Sequence, residues 1–146
     1  MLIRQVMSSP VISGGPETTI RGAAERMRAH RVGALPVIQG GAAIGHDADR
    51  DIVIRALAAR GFAFGPDTSV TDIMTRDVIT CFADQDTAEA AVLMGERQVR
   101  RLLVIARSGG VVGLLSVGDI AEHVSEELAG QALGEISEVR AHDVLY

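Results

Sequence analysis

The chain repeats itself, and the repeat constrains its fold more than any other feature. Val6-Met7-Ser8 matches Ile73-Met74-Thr75, and Val11-Ile12-Ser13 matches Val78-Ile79-Thr80. Ala23, Ala24 and Met27 match Ala90, Ala91 and Met94. Leu35-Pro36-Val37-Ile38 matches Leu102-Leu103-Val104-Ile105, and Gly45 and Asp51-Ile52 match Gly113 and Asp119-Ile120 after one extra residue in the second copy. Self-similarity in order and spacing marks a supersecondary unit used twice, neither copy of which can bury its apolar face alone.

Each copy spells the same elements. A short apolar strand, Val11 to Ser13 or Val78 to Phe82, precedes an amphipathic helix. Ile20, Ala23, Ala24 and Met27 share one face of the first helix, and Ala90, Ala91 and Met94 one face of the second. Asp86 and Glu89 form a capping box. Thr19 is a weaker cap, because Gly22 stands where the second helix has Glu89. Two β-rich runs follow, joined at Gly40-Gly41 and at Ser108-Gly109-Gly110, and each reads as a hairpin. A second helix starts near Asp49 and again near Val117.

The expected class is α+β, with two tandem β-α-β-β-α repeats packed sheet against sheet and the helices outside. Residues 1–62 form the first repeat and 63–128 the second, with a connector around Gly61 to Asp72. The tail, 129–146, carries too little pattern to assign.

Composition narrows the function classes. The 146 residues are 47% hydrophobic and 23% charged, a globular balance. The net charge of −5 and the 3% aromatic content argue against nucleic acid as a partner. No apolar stretch approaches membrane-spanning length and no signal peptide is recognisable, so the expectation is a cytoplasmic protein without a membrane partner. Cys81, the only cysteine, lies in an apolar run and reads as a buried small hydrophobe in a reducing compartment.

These residues carry a family resemblance. Gly33-Ala34-Leu35-Pro36 and Leu115-Ser116-Val117-Gly118-Asp119 resemble the two marks of a CBS domain, named after cystathionine β-synthase, and their duplication resembles the CBS pair called a Bateman module. The likeness spans roughly residues 2 to 126. It implies a homodimer whose clefts bind adenosine-containing ligands such as AMP, ADP, ATP or S-adenosylmethionine, with no cofactor required. It also implies a module that regulates another protein and does not catalyse; the regulated protein is not named by anything in the sequence.

Ser116 at a helix start leaves first-turn N–H groups free for an anion, and Asp119 can accept from a ribose diol. The same pair equally forms a plain capping box. The resemblance lines the Asp119 cleft with Leu114, Ser8, Ser13, Val32, Gly33 and Ala34. It lines the Asp51 cleft with Arg50, Thr75, Thr80, Val99, Arg100 and Arg101. In one kinase-regulating member of the family, cations matching Arg100 and Arg101 face phosphates. Copy one departs from the pattern: Ala48 replaces the hydroxyl residue, while His46 and Asp47 replace apolar strand residues. An ionised buried Asp is costly without a partner, so Asp47 is expected to be exposed, paired, or at the mouth of a cleft.

Two further readings stay open: a ligand-free dimerisation scaffold, and a metal-dependent enzyme built on His46, Asp47, Asp49 and Asp51. No zinc spacing or EF-hand loop supports a metal site.

Overall fold

The computed structural model describes residues 1–58 and 65–143, the stretch 137–143 by its backbone alone. It is mixed α+β, as expected, with the helices α1 (Ile20–His30), α2 (Asp49–Asp51), α3 (Thr87–Arg97), α4 (Val117–His123) and α5 (Glu126–Asp143). The strands are β1 (Ala34–Gln39), β2 (Ala42–Ala48), β3 (Thr80–Phe82), β4 (Arg101–Ile105) and β5 (Val111–Ser116). Helix α2 runs on as a π-helical turn over Ile52–Leu57.

The chain forms two compact units, and they cut across the repeat. One comprises Met1–Val11 with Ile79–Tyr146, the other Ile12–Val78. Each copy's leading Met-Ser/Thr segment therefore belongs to the unit built by the other copy. Ser8 exchanges backbone hydrogen bonds with Leu114 of β5 (2.9 and 3.0 Å), and Thr75 exchanges the equivalent pair with His46 of β2 (both 2.9 Å). A glycine makes each crossing possible. A Cβ on Gly45 would stand 2.6 Å from Met74 Sδ and 2.8 Å from the Thr75 carbonyl oxygen. On Gly113 it would collide with Met7 Sδ and lie 3.1 Å from the Ser8 carbonyl oxygen.

In the unit that holds copy two, β3 pairs parallel with β4, and β4 pairs antiparallel with β5. Leu102, Val104 and Leu115 point from this sheet into a core shared with Met94, Ala90 and Ala91 of α3 and Ile120 of α4. Helix α3 starts on the reciprocal cap expected of it: Asp86 Oδ1 accepts from Ala88 N (2.8 Å) and Glu89 Oε2 from Asp86 N (3.0 Å). The tail is helical as far as Asp143, and its last three residues lie outside the described ones. Ala129, Ala132 and Ile136 of α5 are buried, and the helix lies on α3 and α4, with Glu135 against Gly95.

The other unit has a two-stranded sheet, β1 and β2, joined at Gly40 and Gly41, whose φ of 60° and 81° suit a tight hairpin turn. Its core is Ala23, Met27, Leu35, Val37, Val70 and Met74. Thr19 caps α1 from one side only, accepting from Gly22 N (3.0 Å).

The strand expected at Val11 to Ser13 is absent, and only Gly14 bridges β1, at Val37. Two prolines explain the difference. In copy two, Leu103 N donates to the Ile79 carbonyl (3.1 Å) and Ala83 N to the Ile105 carbonyl (3.1 Å). The matching positions in copy one are Pro36 and Pro16, which have no N–H to give. The expected connector lies partly outside the described residues. Its described end holds a single 3₁₀ turn, Val70–Asp72, started by Ser69.

Candidate functional site

The end of β5 and the start of α4 form one compact arrangement. Ser116 has extended backbone (φ −112°, ψ 161°), so its hydroxyl turns back onto the first helical turn. It accepts from Asp119 N (3.0 Å), and Asp119 Oδ2 accepts from Ser116 N (2.8 Å). Both residues are half-buried. Asp119 Oδ1 has no hydrogen-bond partner among the described residues. Gly118, exposed in the first turn, has no intrahelical carbonyl for its N–H.

Arg100 and Arg101 stand beside this cap. Val117 N donates to the Arg100 carbonyl (3.0 Å), and Arg101 is in register with Ser116. Both arginines are exposed. Val99 follows the left-handed residue Gln98 (φ 58°), which ends α3. Ser8 pairs with Leu114, and Thr80 opens β3 opposite Leu103. This unit thus gathers Ser8, Thr80, Val99, Arg100, Arg101, Leu114, Ser116 and Asp119.

The other unit gathers the matching set. Asp51 Oδ2 accepts from Ala48 N (2.9 Å), Asp49 N donates to the Gly33 carbonyl (3.1 Å), and Ala34 is in register with Ala48. Thr75 bridges His46, Arg50 is exposed beside Asp51, and Ser13 gives its carbonyl to Arg26 (2.7 Å). Val32 closes α1 through Met27 (3.0 Å). Within a unit, then, the arginine pair neighbours Ser116 and Asp119, while Gly33 and Ala34 neighbour Ala48 and Asp51.

The two caps differ chemically. Ala48 offers no hydroxyl, so the Asp51 cap is one-sided. Asp51 Oδ1 also faces Arg55 Nε at 3.7 Å, whereas Asp119 Oδ1 has no such neighbour. Arg55 was not anticipated from the sequence. Its signal is the i, i+4 spacing from Asp51, which sets the two on one helix face.

Asp47 departs from expectation. It is fully buried, and among the described residues neither carboxylate oxygen has a hydrogen-bond partner. It faces Leu35 across the hairpin, at the position where the other unit has Leu115, also fully buried. The cost of a buried charge is avoided by keeping the proton. Burial first, then the neighbouring Asp51 charge, push the Asp47 carboxyl up to about 7, with Arg55 pulling the other way.

Cys81 is buried, and burial raises its thiol to about 11, which removes it as a nucleophile. Among the described residues no group of three or more His, Cys, Asp and Glu is placed to hold a metal ion. None of the helices described is long and apolar enough to cross a membrane.

A CBS domain family model matches residues 3–45 and 70–126, taking in both lead segments, the whole second hairpin and the first as far as Gly45. This chain belongs to the CBS domain family. It is 34% identical over 143 residues to the CBS domain-containing protein YhcV of Bacillus subtilis, covering 96% of this chain and 98% of that one. Among solved CBS proteins, hypoxic response protein I, determined with two coordinated zinc ions, superposes with a TM-score of 0.75 at 33% identity, over 85% of this chain and 99% of that chain. The CBS pair of protein MJ0100, solved with 5′-methylthioadenosine and S-adenosyl-L-methionine, gives a TM-score of 0.73 at 27% identity, over 84% and 94%. CBS domain pairs are regulatory modules, and MJ0100 shows one holding adenosine-containing ligands.

Proposed function

We propose that this chain is a non-catalytic cytoplasmic sensor that binds an adenosine-containing ligand, AMP, ADP, ATP or S-adenosylmethionine, and passes its occupancy to a partner protein. The observation that carries this reading is the Ser116–Asp119 cap, where Ser116 is in register with the exposed Arg101 and Val117 N donates to the carbonyl of the exposed Arg100. A ribose diol can donate to Asp119 Oδ1, while a phosphate or carboxylate meets Arg100, Arg101 and the first-turn N–H groups of α4. Ser8, Thr80, Val99 and Leu114 complete that set. The Asp51 set, with Arg50, Thr75, Ser13, Val32, Gly33 and Ala34, is the weaker one, since it lacks the hydroxyl and its second carboxylate oxygen faces Arg55.

The working state is a homodimer, a reading supported by the apolar surface that Val53, Ile54 and Leu57 expose at 52, 54 and 79%. A second reading, a ligand-free scaffold, is favoured by one observation: Ser116 and Asp119 already satisfy each other.

Titration calorimetry with AMP, ATP and S-adenosylmethionine separates the two. Sensing requires heat with at least one of them, and Asp119→Ala should weaken that ligand by about tenfold or more, the worth of a hydrogen bond to a charged acceptor. Asp51→Ala should cost less. The scaffold reading wins if none of the three ligands binds.

A further inference from the structure

Asp47 takes no part in the proposed ligand chemistry, yet it is the least comfortable side chain in the protein. It occupies a core position that its sister copy gives to Leu115, and both of its oxygens are buried without a hydrogen bond among the described residues. Every element of its unit confirms its isolation. Across the hairpin it meets the apolar Leu35. Strand alternation puts His46 on the opposite face of β2. Among the described residues, the charged groups acting on it are Asp51 and Arg55, while Arg26 of α1 is turned to the Ser13 carbonyl and Arg76 to the Thr71 carbonyl.

Arg55, its cationic neighbour among the described residues, is committed elsewhere. It reaches the carbonyls of Ile73 (3.3 Å) and Met74 (3.4 Å) and faces Asp51 at 3.7 Å. It also belongs to a π-helical turn, Ile52–Leu57, whose Val53, Ile54 and Leu57 are exposed. Ile52 packs against the core of the unit, but no side chain of the turn is fully buried, which places it among segments of low local stability.

We infer that residues 45–57 form a proton-linked element, in which opening of the hairpin end and the turn that follows exposes Asp47 and releases its proton to water. Closed, the carboxyl keeps its proton up to about pH 7. Open, it titrates as an ordinary carboxylate, near pH ~4. Between those values one proton leaves with each opening event, so the opening constant rises about tenfold per pH unit and levels off above the closed-state value. Rising pH thus frees Arg55 from the Ile73 and Met74 carbonyls, and loosens the Thr75 segment that those contacts pin against β2. The inference is independent of any bound nucleotide.

The test uses the full chain without ligand. Amide hydrogen exchange at His46 and Thr75, corrected for intrinsic rates, is followed from about pH 5 to 8.5. The sister amides Ser8 and Leu114, beside Leu115 instead of an acid, serve as the internal control. The expected result is an opening constant at His46 and Thr75 that climbs about tenfold per pH unit to near pH 7 and then flattens, with a flat profile at Ser8 and Leu114. Asp47→Leu and Asp47→Asn should both abolish the climb. Carbon-13 detection of the Asp47 carboxyl in the unsubstituted chain supplies a reading that needs no variant to fold. A midpoint near pH ~4 would overturn the inference, and so would an equal climb at both pairs of amides, which assigns the proton to global unfolding.

Discussion

The two crossing glycines allow a comparison in which one repeat is the reference for the other. Gly45→Ala and Gly113→Ala add the same methyl group at matched positions, but the obstacles differ. At Gly113 the hard contact is the Met7 side chain, which is flexible and partly exposed, while the Ser8 carbonyl oxygen at 3.1 Å needs to give only a few tenths of an ångström. At Gly45 the added carbon meets the buried Met74 and also the Thr75 carbonyl oxygen at 2.8 Å. That carbonyl accepts from His46 N at 2.9 Å and cannot retreat without stretching the bridge. Overpacking costs roughly 1–3 kcal/mol, offset by about 0.4–1 kcal/mol from the lower entropy of the unfolded Ala chain. The net loss should be about 1 kcal/mol for Gly113→Ala and about 2 kcal/mol or more for Gly45→Ala. Urea unfolding followed by circular dichroism reads both, as midpoint shifts of about 0.5 and 1 M for a slope near 2 kcal/mol per M. Adding Met7→Ala to Gly113→Ala should return most of the methyl's cost, measured against Met7→Ala alone. Adding Met74→Ala to Gly45→Ala should return little, since the backbone oxygen remains. Equal costs at the two glycines, or full relief by Met74→Ala, would refute the argument that backbone contact decides the difference.

Two further outcomes follow from buried side chains. Asp47→Leu should stabilise the protein at pH 8 by about 4 kcal/mol, the free energy of moving a carboxyl from 3.8 to about 7. The sign follows from protons: between those values the unfolded chain is ionised and the folded one is not, so the parent loses stability as pH rises from about 4 to 7 and none beyond. The advantage of Asp47→Leu should therefore shrink as pH falls toward 4, and denaturant midpoints at pH 4, 6 and 8 check it. Ile136→Ala, which empties a fully buried site on α5, should cost roughly 2–5 kcal/mol, visible as an earlier thermal transition.

Much of the architecture was legible because it is written twice. The helix faces at Ala23 and Met27 and at Ala90 and Met94, the Asp86–Glu89 box and the glycine turns are all local signals, and each forms where the pattern places it. What stayed hidden depends on contacts distant in sequence. No periodicity says that Met7 will cross Gly113 while Met74 crosses Gly45, because a repeat reveals which segments are alike and not which copy each completes. Pro16 and Pro36 were readable as residues without a donor, but their effect on Val11 to Ser13 required knowing that those two N–H groups would have faced it. Helix α5 escaped notice because much of its buried side is alanine, Ala129 and Ala132, which leaves little hydropathy contrast.

At the candidate site, the Ser116–Asp119 spacing was enough to foresee the cap, while the pairing of Arg101 with Ser116 is a matter of strand register, which no spacing carries. Asp47 marks the limit of the sequence argument. An acid in an apolar frame was expected to seek water or a partner, and the alternative of a retained proton becomes visible only once its burial is known.

The exchange of lead segments also orders the making of the protein. Residues 12–78 hold all of one unit once they leave the ribosome, but Met1–Val11, made before them, belong with strands and helices that lie after residue 78. At roughly 5–20 residues per second, those opening residues wait several seconds for β5, with Ile3 and Val6 unburied until it arrives. A nascent chain paused between the repeats thus presents a finished half and an idle, sticky leader. For the same reason, cutting the gene at the repeat boundary would not give two foldable halves: each piece would carry the leader that the other one needs.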